Sequence, residues 1–259
     1  MHQALSAAPM RRLNLENLHV GTAGWTIPKP YADRFADRGS HLERYTSQLR
    51  AVEINSSFYR AHRPATYERW AASVPDDFRF ALKLPREITH DCRFHEADEC
   101  LERFLHETDA LGEKRGPILV QLPPSFEFEA ALVESFLEGF RGHFAGELAF
   151  EPRHPTWFNS AADELLHRYR AARVAADPPV TNCGNEPGGW PGLVYYRWHG
   201  SPRVYYSAYS ADDLDRLAKA LSEPLAHGVP TWCIFDNTAL GEATNNALAL
   251  LTQLECRVA

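Results

Sequence analysis

Polar residues close the apolar runs of this chain, and they are types that move protons or hold anions. Glu53 and Asn55 end one run, Lys83 another, Gln121 a third, and Glu151 with Arg153 a fourth. Asp177, then Arg197 with His199, then Asp236 followed by Asn237, end three more. Carboxylates near a histidine suit general acid and base work, because imidazole titrates close to neutral pH. Glu53, Glu151, His199 and Asp236 are therefore the candidate catalytic groups. Asp177 is a further carboxylate, and His90 and His154 stand in the neighbouring loops. Arginine forks match carboxylate and phosphate oxygens. Lys83, Arg153 and Arg197 accordingly head a candidate substrate-binding set that also holds Trp25, Asn55, Tyr59, Gln121, His154 and Asn237.

Charges placed at strand ends need a fold that gathers those ends. The runs His19–Thr22, Ala51–Asn55, Phe78–Leu84, Ile118–Leu122, Leu148–Glu151, Arg173–Asp177, Leu193–His199 and Thr231–Asp236 read as strands. Helical patterns follow most of them: 41–50, 65–73, 96–112, 127–142, 160–170, 211–226 and 242–254. Leu101, Phe104, Leu105, Thr108 and Leu111 share one helical face, and Ser210 is placed to cap the helix after the seventh strand. The sixth strand is the exception, because Pro178 to Pro191 is a Pro, Gly and Asn loop. Strict β–α alternation implies parallel strands. Eight units over 18–259 predict a single-domain α/β fold, a TIM (β/α)8 barrel with its site at the C-terminal mouth. An open doubly wound sheet is the alternative, but no G-x-G-x-x-G follows the first strand. Residues 1–17 read as a flexible N-terminal leader.

Side chains alternate along a strand, so one parity faces the helices and the other faces inward. Val52 and Ile54 oppose Glu53 and Asn55; Phe80 and Leu82 oppose Ala81 and Lys83; Tyr196 and Trp198 oppose Tyr195, Arg197 and His199. A lone charge against the helices would be costly, so the polar parity turns inward. The competing reading is a ring of ion pairs that merely fills the barrel end.

The 259 residues are 44% hydrophobic and 24% charged, which suits a globular chain with a sizeable core. No apolar run reaches the roughly eighteen residues of a membrane helix, and no secretory signal is recognisable, so no membrane partner is expected. Cys92, Cys100, Cys183, Cys233 and Cys256 show no C-x-x-C spacing, which points to a reducing cytoplasm. The net charge of −7 argues against general coating of nucleic acid, though not against a local basic groove.

Gly21-Thr22-Ala23-Gly24-Trp25 and Val52 through Tyr59 resemble the YecE-like family, known as domain of unknown function 72. Lys83-Leu84-Pro85, Val120 through Pro124, Phe150 through Pro155, Tyr196 through Gly200, and Phe235 through Thr238 continue the resemblance in order. It runs from residue 19 nearly to the end and implies a TIM barrel, while leaving the reaction open. Pro152 departs from the family pattern, and a proline there should end its strand.

The leading expectation is an enzyme acting on a polar anionic small molecule, phosphorylated or sugar-like, by acid/base chemistry at the mouth. Arg60, Arg63, Arg86, Arg93 and Arg203 add basic loops, and Thr238 to Gly241 offers backbone donors for phosphate. Strands four and seven end in Gln121 and in Arg197 and His199, a poor match to the paired carboxylates of a glycosidase. Neither H-E-x-x-H nor G-x-S-x-G occurs. A divalent metal is compatible with Glu, Asp and His at strand ends, but Lys83, Arg153 and Arg197 oppose it, so the cofactor stays unassigned. Two rivals remain: an endonuclease-like barrel that binds nucleic acid, and a non-catalytic metabolite-binding protein.

Overall fold

The computed structural model describes residues 15–258. Strands and helices alternate along most of the chain as β1 (Leu18–Thr22), α1 (His41–Tyr45), β2 (Ala51–Ile54), α2 (Pro64–Ala72), β3 (Arg79–Lys83) and α3 (Asp98–Thr108). There follow β4 (Arg115–Gln121), α4 (Ala130–His143), β5 (Leu148–Glu151), α5 (Ser160–Arg168), β6 (Ala171–Arg173) and β7 (Ala175–Asp177). The chain closes with β8 (Gly188–Gly189), β9 (Val194–Trp198), α6 (Ala211–Ala226), β10 (Thr231–Phe235) and α7 (Glu242–Val258). Residues 1–14 of the expected leader lie outside the described residues. Leu15–Asn17 form a 3-10 turn, and Asn17 donates to the carbonyl of Gly228 at 2.8 Å.

The result is an α/β single-domain fold in which β1 to β7, β9 and β10 pair in parallel. The pairing forms two sheets, β1-β10-β9-β7 and β2-β3-β4-β5-β6-β8, where one uninterrupted ring was expected. The expected sixth strand is divided at Val174. Its first half pairs with β5 and its second with β9, so the chain changes partner midway. The edge that β6 leaves open is met by β8, running antiparallel to it. Gly189 permits that approach: its φ is +65°, and a Cβ there would lie 2.6 Å from the carbonyl oxygen of Ala171. At the other sheet boundary β1 meets β2 through one bridge, Ala23 to Glu53, with Gly24 donating to the Glu53 carbonyl at 2.9 Å. Gly21 makes this possible, since a Cβ on it would stand 2.1 Å from the Ala51 oxygen.

The alternation of side chains sorts the interior as the strand pattern predicts. Val52, Ile54, Phe80, Leu82, Ile118, Val120, Phe150 and Phe235 pack outward into the large core beneath the helices. The opposite parity forms a smaller apolar cluster of Ala51, Ala81, Leu119, Ala149, Ala172, Val174, Leu193, Tyr195, Trp232 and Ile234. These residues come from both sheets, so the two sheets share one interior. Four of the ten are alanines, and the bulk of Trp232 and Tyr195 fills the space they leave.

Helix ends follow local rules. Ser210 accepts from the Asp213 N–H, and the Asp213 carboxylate accepts from the Ser210 N–H, a reciprocal cap on α6. In α3, Leu101, Phe104, Leu105 and Thr108 are the buried face, as the spacing predicts. The α-helix ends at Thr108, four residues short of the expected boundary, and gives way to a 3-10 turn that breaks at Gly112, with φ +56°. No helix follows β7, where the Pro/Gly loop was expected. No described helix is long and apolar enough to cross a membrane, and all five cysteines are free thiols.

Candidate active site

Two residues beyond the apolar inner cluster, toward the C-terminal strand ends, the same parity changes from apolar to polar. Ala51 gives way to Glu53, Ala81 to Lys83, Leu119 to Gln121, Ala149 to Glu151, Tyr195 to Arg197 and Ile234 to Asp236. Arg197 is the centre. Its guanidinium grips Glu53 bidentately, Nη2 to Oε1 at 2.7 Å and Nε to Oε2 at 3.0 Å. Nη1 donates to Glu151 Oε2 at 3.1 Å, and Nη2 lies 3.0 Å from Asp236 Oδ2. Three carboxylates from β2, β5 and the end of β10 thus converge on one fully buried cation. Tyr195 donates to Glu53 Oε2 at 3.0 Å and Gln121 to Glu151 Oε2 at 2.9 Å, which occupies most remaining lone pairs.

His199 bridges the far side. Its Nε2 is 2.6 Å from Glu151 Oε1 and its Nδ1 is 3.1 Å from Asp236 Oδ2. The imidazolium can donate to both carboxylates, whereas the neutral ring can donate to only one. The electrostatics follow from this packing. Burial alone would raise the Glu151 pKa, but His199 and then Arg197 reverse it and hold the carboxyl well below its usual range. Asp236 is treated likewise: burial opposes ionisation, and Arg197 with His199 overcomes it. Arg197 is raised well above its ordinary value, because Asp236, Glu53 and Glu151 together outweigh desolvation.

Arg197 therefore does not fit the ligand-binding role expected for it. Its five N–H groups face Glu53, Glu151, Asp236 and, at 3.5 Å, His199, and none of its side chain is exposed. Two cations beside it are less engaged. Arg153 Nη1 lies 3.2 Å from Glu151 Oε1 yet makes no hydrogen bond, and part of the side chain reaches solvent. Lys83 is buried, with Nζ 4.1 Å from the centroid of the Phe58 ring. Desolvation, followed by repulsion from Arg197, lowers the Lys83 pKa to about 8 against the pull of Glu53, Glu151 and Asp236. The Ser57 hydroxyl reaches the carbonyls of both Ile54 and Lys83, tying the turn that carries Phe58 to the end of β3.

The remaining expected residues divide. Asn55 and Asn237 stand at the ends of β2 and β10, and each has a buried Oδ1 without a partner, although Asn237 anchors its amide on Ser207 and Asn246. Tyr59 is 72% exposed in the loop after β2. Trp25 instead packs edge-on against Trp70 at 5.0 Å, and His154 caps its own turn through Thr156. Asp177 takes no part in the network and accepts from the Tyr209 hydroxyl at 2.8 Å. Among the described residues, no group of three His, Cys, Asp or Glu is arranged to hold a metal ion.

Two members were not anticipated. Tyr195 has the parity of Arg197 and His199, which was the signal available, but a tyrosine in a strand reads as core. Tyr205 sits edge-on to His199 at 6.0 Å between ring centroids, from a loop residue with φ +70°. Nothing in the local sequence marks it. A cavity of about 270 Å³ opens one loop away from the network, between Phe58, Tyr59, Arg60, Arg86 and α3.

The model of a family described as "Protein of unknown function DUF72" matches residues 19–259. UPF0759 protein YecE of Escherichia coli K12 is 29% identical over 167 residues, 62% of this chain and 59% of that protein. The chain thus spans about three-fifths of the length of that relative. UPF0759 protein YunF of Bacillus subtilis is 23% identical across 92% of this chain and 95% of its own. A DUF72 family crystal structure from Thermotoga maritima superposes with a TM-score of 0.74 at 26% identity, covering 92% of this chain and 99% of that one. One from Enterococcus faecalis gives 0.75 at 22% identity over 95% and 99%, a likeness of fold.

Proposed function

The chain belongs to the DUF72 family, and from that membership and the geometry at its strand ends we propose that it is an enzyme acting on a polar anionic small molecule. The reading takes the two sheets as one closed (β/α)8 barrel, supported by the Ala23–Glu53 bridge and the change of partner at Val174. The single observation that carries the chemistry is the 2.6 Å contact between His199 Nε2 and Glu151 Oε1. A proton held between an imidazole and a carboxylate is available for transfer, and Asp236 on Nδ1 orients the ring. Arg197 keeps Glu151 and Asp236 ionised and holds Glu53 in place, a positioning role.

The ligand would meet the groups that are not already satisfied. Arg153 supplies a fork for phosphate or carboxylate, and Lys83 adds a second positive charge. The free Oδ1 atoms of Asn55 and Asn237 would accept from ligand hydroxyls, which suits a phosphorylated or sugar-like substrate. Tyr205, over His199, would have to move for substrate to enter.

Glu151→Gln keeps the shape of the side chain and removes the proton acceptor. In a screen of a metabolite pool, wild type should turn over a phosphorylated or carboxylated compound and the variant should lose at least a hundredfold in rate. A variant that keeps its melting transition and its full rate would remove Glu151 from the mechanism.

A further inference from the structure

We propose that Lys83 is a nucleophile of this site and that it forms an imine with the carbonyl carbon of a small oxo compound. The inference rests on the enzymatic reading above and narrows its substrate class to aldehydes, ketones or 2-oxo acids that carry an anionic group.

The first ground is the choice of residue. Of 27 Lys and Arg residues in the chain, lysine occurs only at 29, 83, 114 and 219. A chain that meets most of its need for positive charge with arginine places a lysine at the end of β3, inside the site. Guanidinium does not lose its proton in a protein, whereas an ammonium can. The second ground is the contrast with the other three. Lys29 is exposed. Lys114 donates to the carbonyls of Ala71 and Val74, and Lys219 pairs with Asp215. Lys83 is 5% exposed, and among the described residues its Nζ has no hydrogen bond and no ion pair. The Phe58 ring packs on it, and an aromatic face accepts no proton.

The surroundings favour the uncharged amine without stranding the product. Desolvation and Arg197 disfavour the ammonium, and its pKa is accordingly lowered to about 8. His90, edge-on to Phe58, senses Lys83 as a positive neighbour. Glu53, Glu151 and Asp236 act in the opposite sense and would stabilise the cationic form of an imine. Desolvation next to a second cation is a general means of activating an amine.

The step balances without a co-reactant. The Nζ lone pair adds to the carbonyl carbon, the C=O π pair moves to oxygen, and that oxygen gains the proton the nitrogen gives up. A second proton leaves nitrogen as the C–O bond breaks, and the oxygen departs as water. The sum is amine plus carbonyl giving imine plus water, with no change of oxidation state. Arg153 would hold the anionic group of the same molecule.

The test uses the full chain with sodium cyanoborohydride and two probes, pyruvate and dihydroxyacetone phosphate, followed by peptide mass mapping. Labelling of Lys83 by at least one probe should exceed that of exposed Lys29 and Lys219 by tenfold or more at pH 7. It should be half-maximal near pH 8, well below the ordinary range of a lysine amine. Lys83→Arg should abolish the excess and leave the other sites unchanged. Labelling spread evenly over the lysines with both probes would overturn the inference. If inorganic phosphate still binds in that case, only the imine fails; if it does not, the reading beneath it fails too.

Discussion

The interior of the molecule holds a histidine at each end, and the two ends surround it with different groups. His19, in β1, lies toward the N-terminal ends of the strands, opposite Trp232 in register and stacked on its indole at 4.5 Å. Its Nδ1 and the Trp232 Nε1 are both buried without partners. Desolvation, reinforced by Arg79, lowers its pKa to about 4 and keeps it uncharged at neutral pH. His199, at the C-terminal end, is fully buried and has a carboxylate on each ring nitrogen. Burial by itself disfavours charge, and Glu151 and Asp236 stay ionised at this end because the groups around them offset that cost. The N-terminal half of the interior is accordingly a packing device, and the C-terminal half holds ions at a cost in stability that packing alone would not demand.

The comparison is broken most severely at its electrostatic centre. Arg197→Met should destabilise the protein by about 3–5 kcal/mol in urea unfolding at pH 7, because three carboxylates are left without their cation. A loss under about 1 kcal/mol would mean that the carboxylates do not depend on Arg197.

Lys83 offers the opposite sign. Its pKa is about 8 in the folded protein and near 10.5 when unfolded, so below pH 8 the fold carries an unfavourable ammonium. At about 1.4 kcal/mol per pKa unit this is a cost of roughly 3 kcal/mol. As pH rises from 8 to 10.5 the unfolded chain binds more protons than the folded one, so the cost is relieved. Lys83→Met should therefore be more stable than wild type at pH 7, with the advantage shrinking toward pH 10.5. A destabilised variant at pH 7 would show that the amine has a favourable partner.

His19 sharpens the other end. Its folded pKa near 4 lies below the unfolded value of 6.5, so its contribution is full above pH 6.5 and is lost as pH falls toward 4. His19→Leu should leave stability at pH 7 within about 1 kcal/mol and should flatten the acid limb by roughly 3 kcal/mol at pH 4. Unfolding curves for the two proteins that stay parallel down to pH 4 would contradict an uncharged His19.

What could be read from sequence followed the strand period of two. Glu53, Glu151 and Arg197 fall on the parity opposite Val52, Phe150 and Tyr196, and that placed them together before any coordinates. Pairing within the cluster was not legible. Which cation the carboxylates engage depends on side-chain reach, so Arg197 appeared equivalent to Lys83 and Arg153 although one is saturated and the others are not. The division of β6 from β7 was hidden as well. Arg173 to Asp177 contains no internal turn residue to mark a break, and the change of partner at Val174 is a property of the neighbouring strands. Tyr205 escaped because its position depends on a left-handed loop residue with no glycine to mark it.

Arg153 is where the charged end of the interior meets solvent, and it tests whether that end is a site. Inorganic phosphate titrated calorimetrically into wild type at pH 7 should bind with a Kd of millimolar or better. Arg153→Gln should weaken that binding at least tenfold, about 1.4 kcal/mol, without lowering the melting temperature. Wild-type protein that gives no binding heat, or a variant that binds equally well, would make the ionic cluster a structural plug and contradict the account.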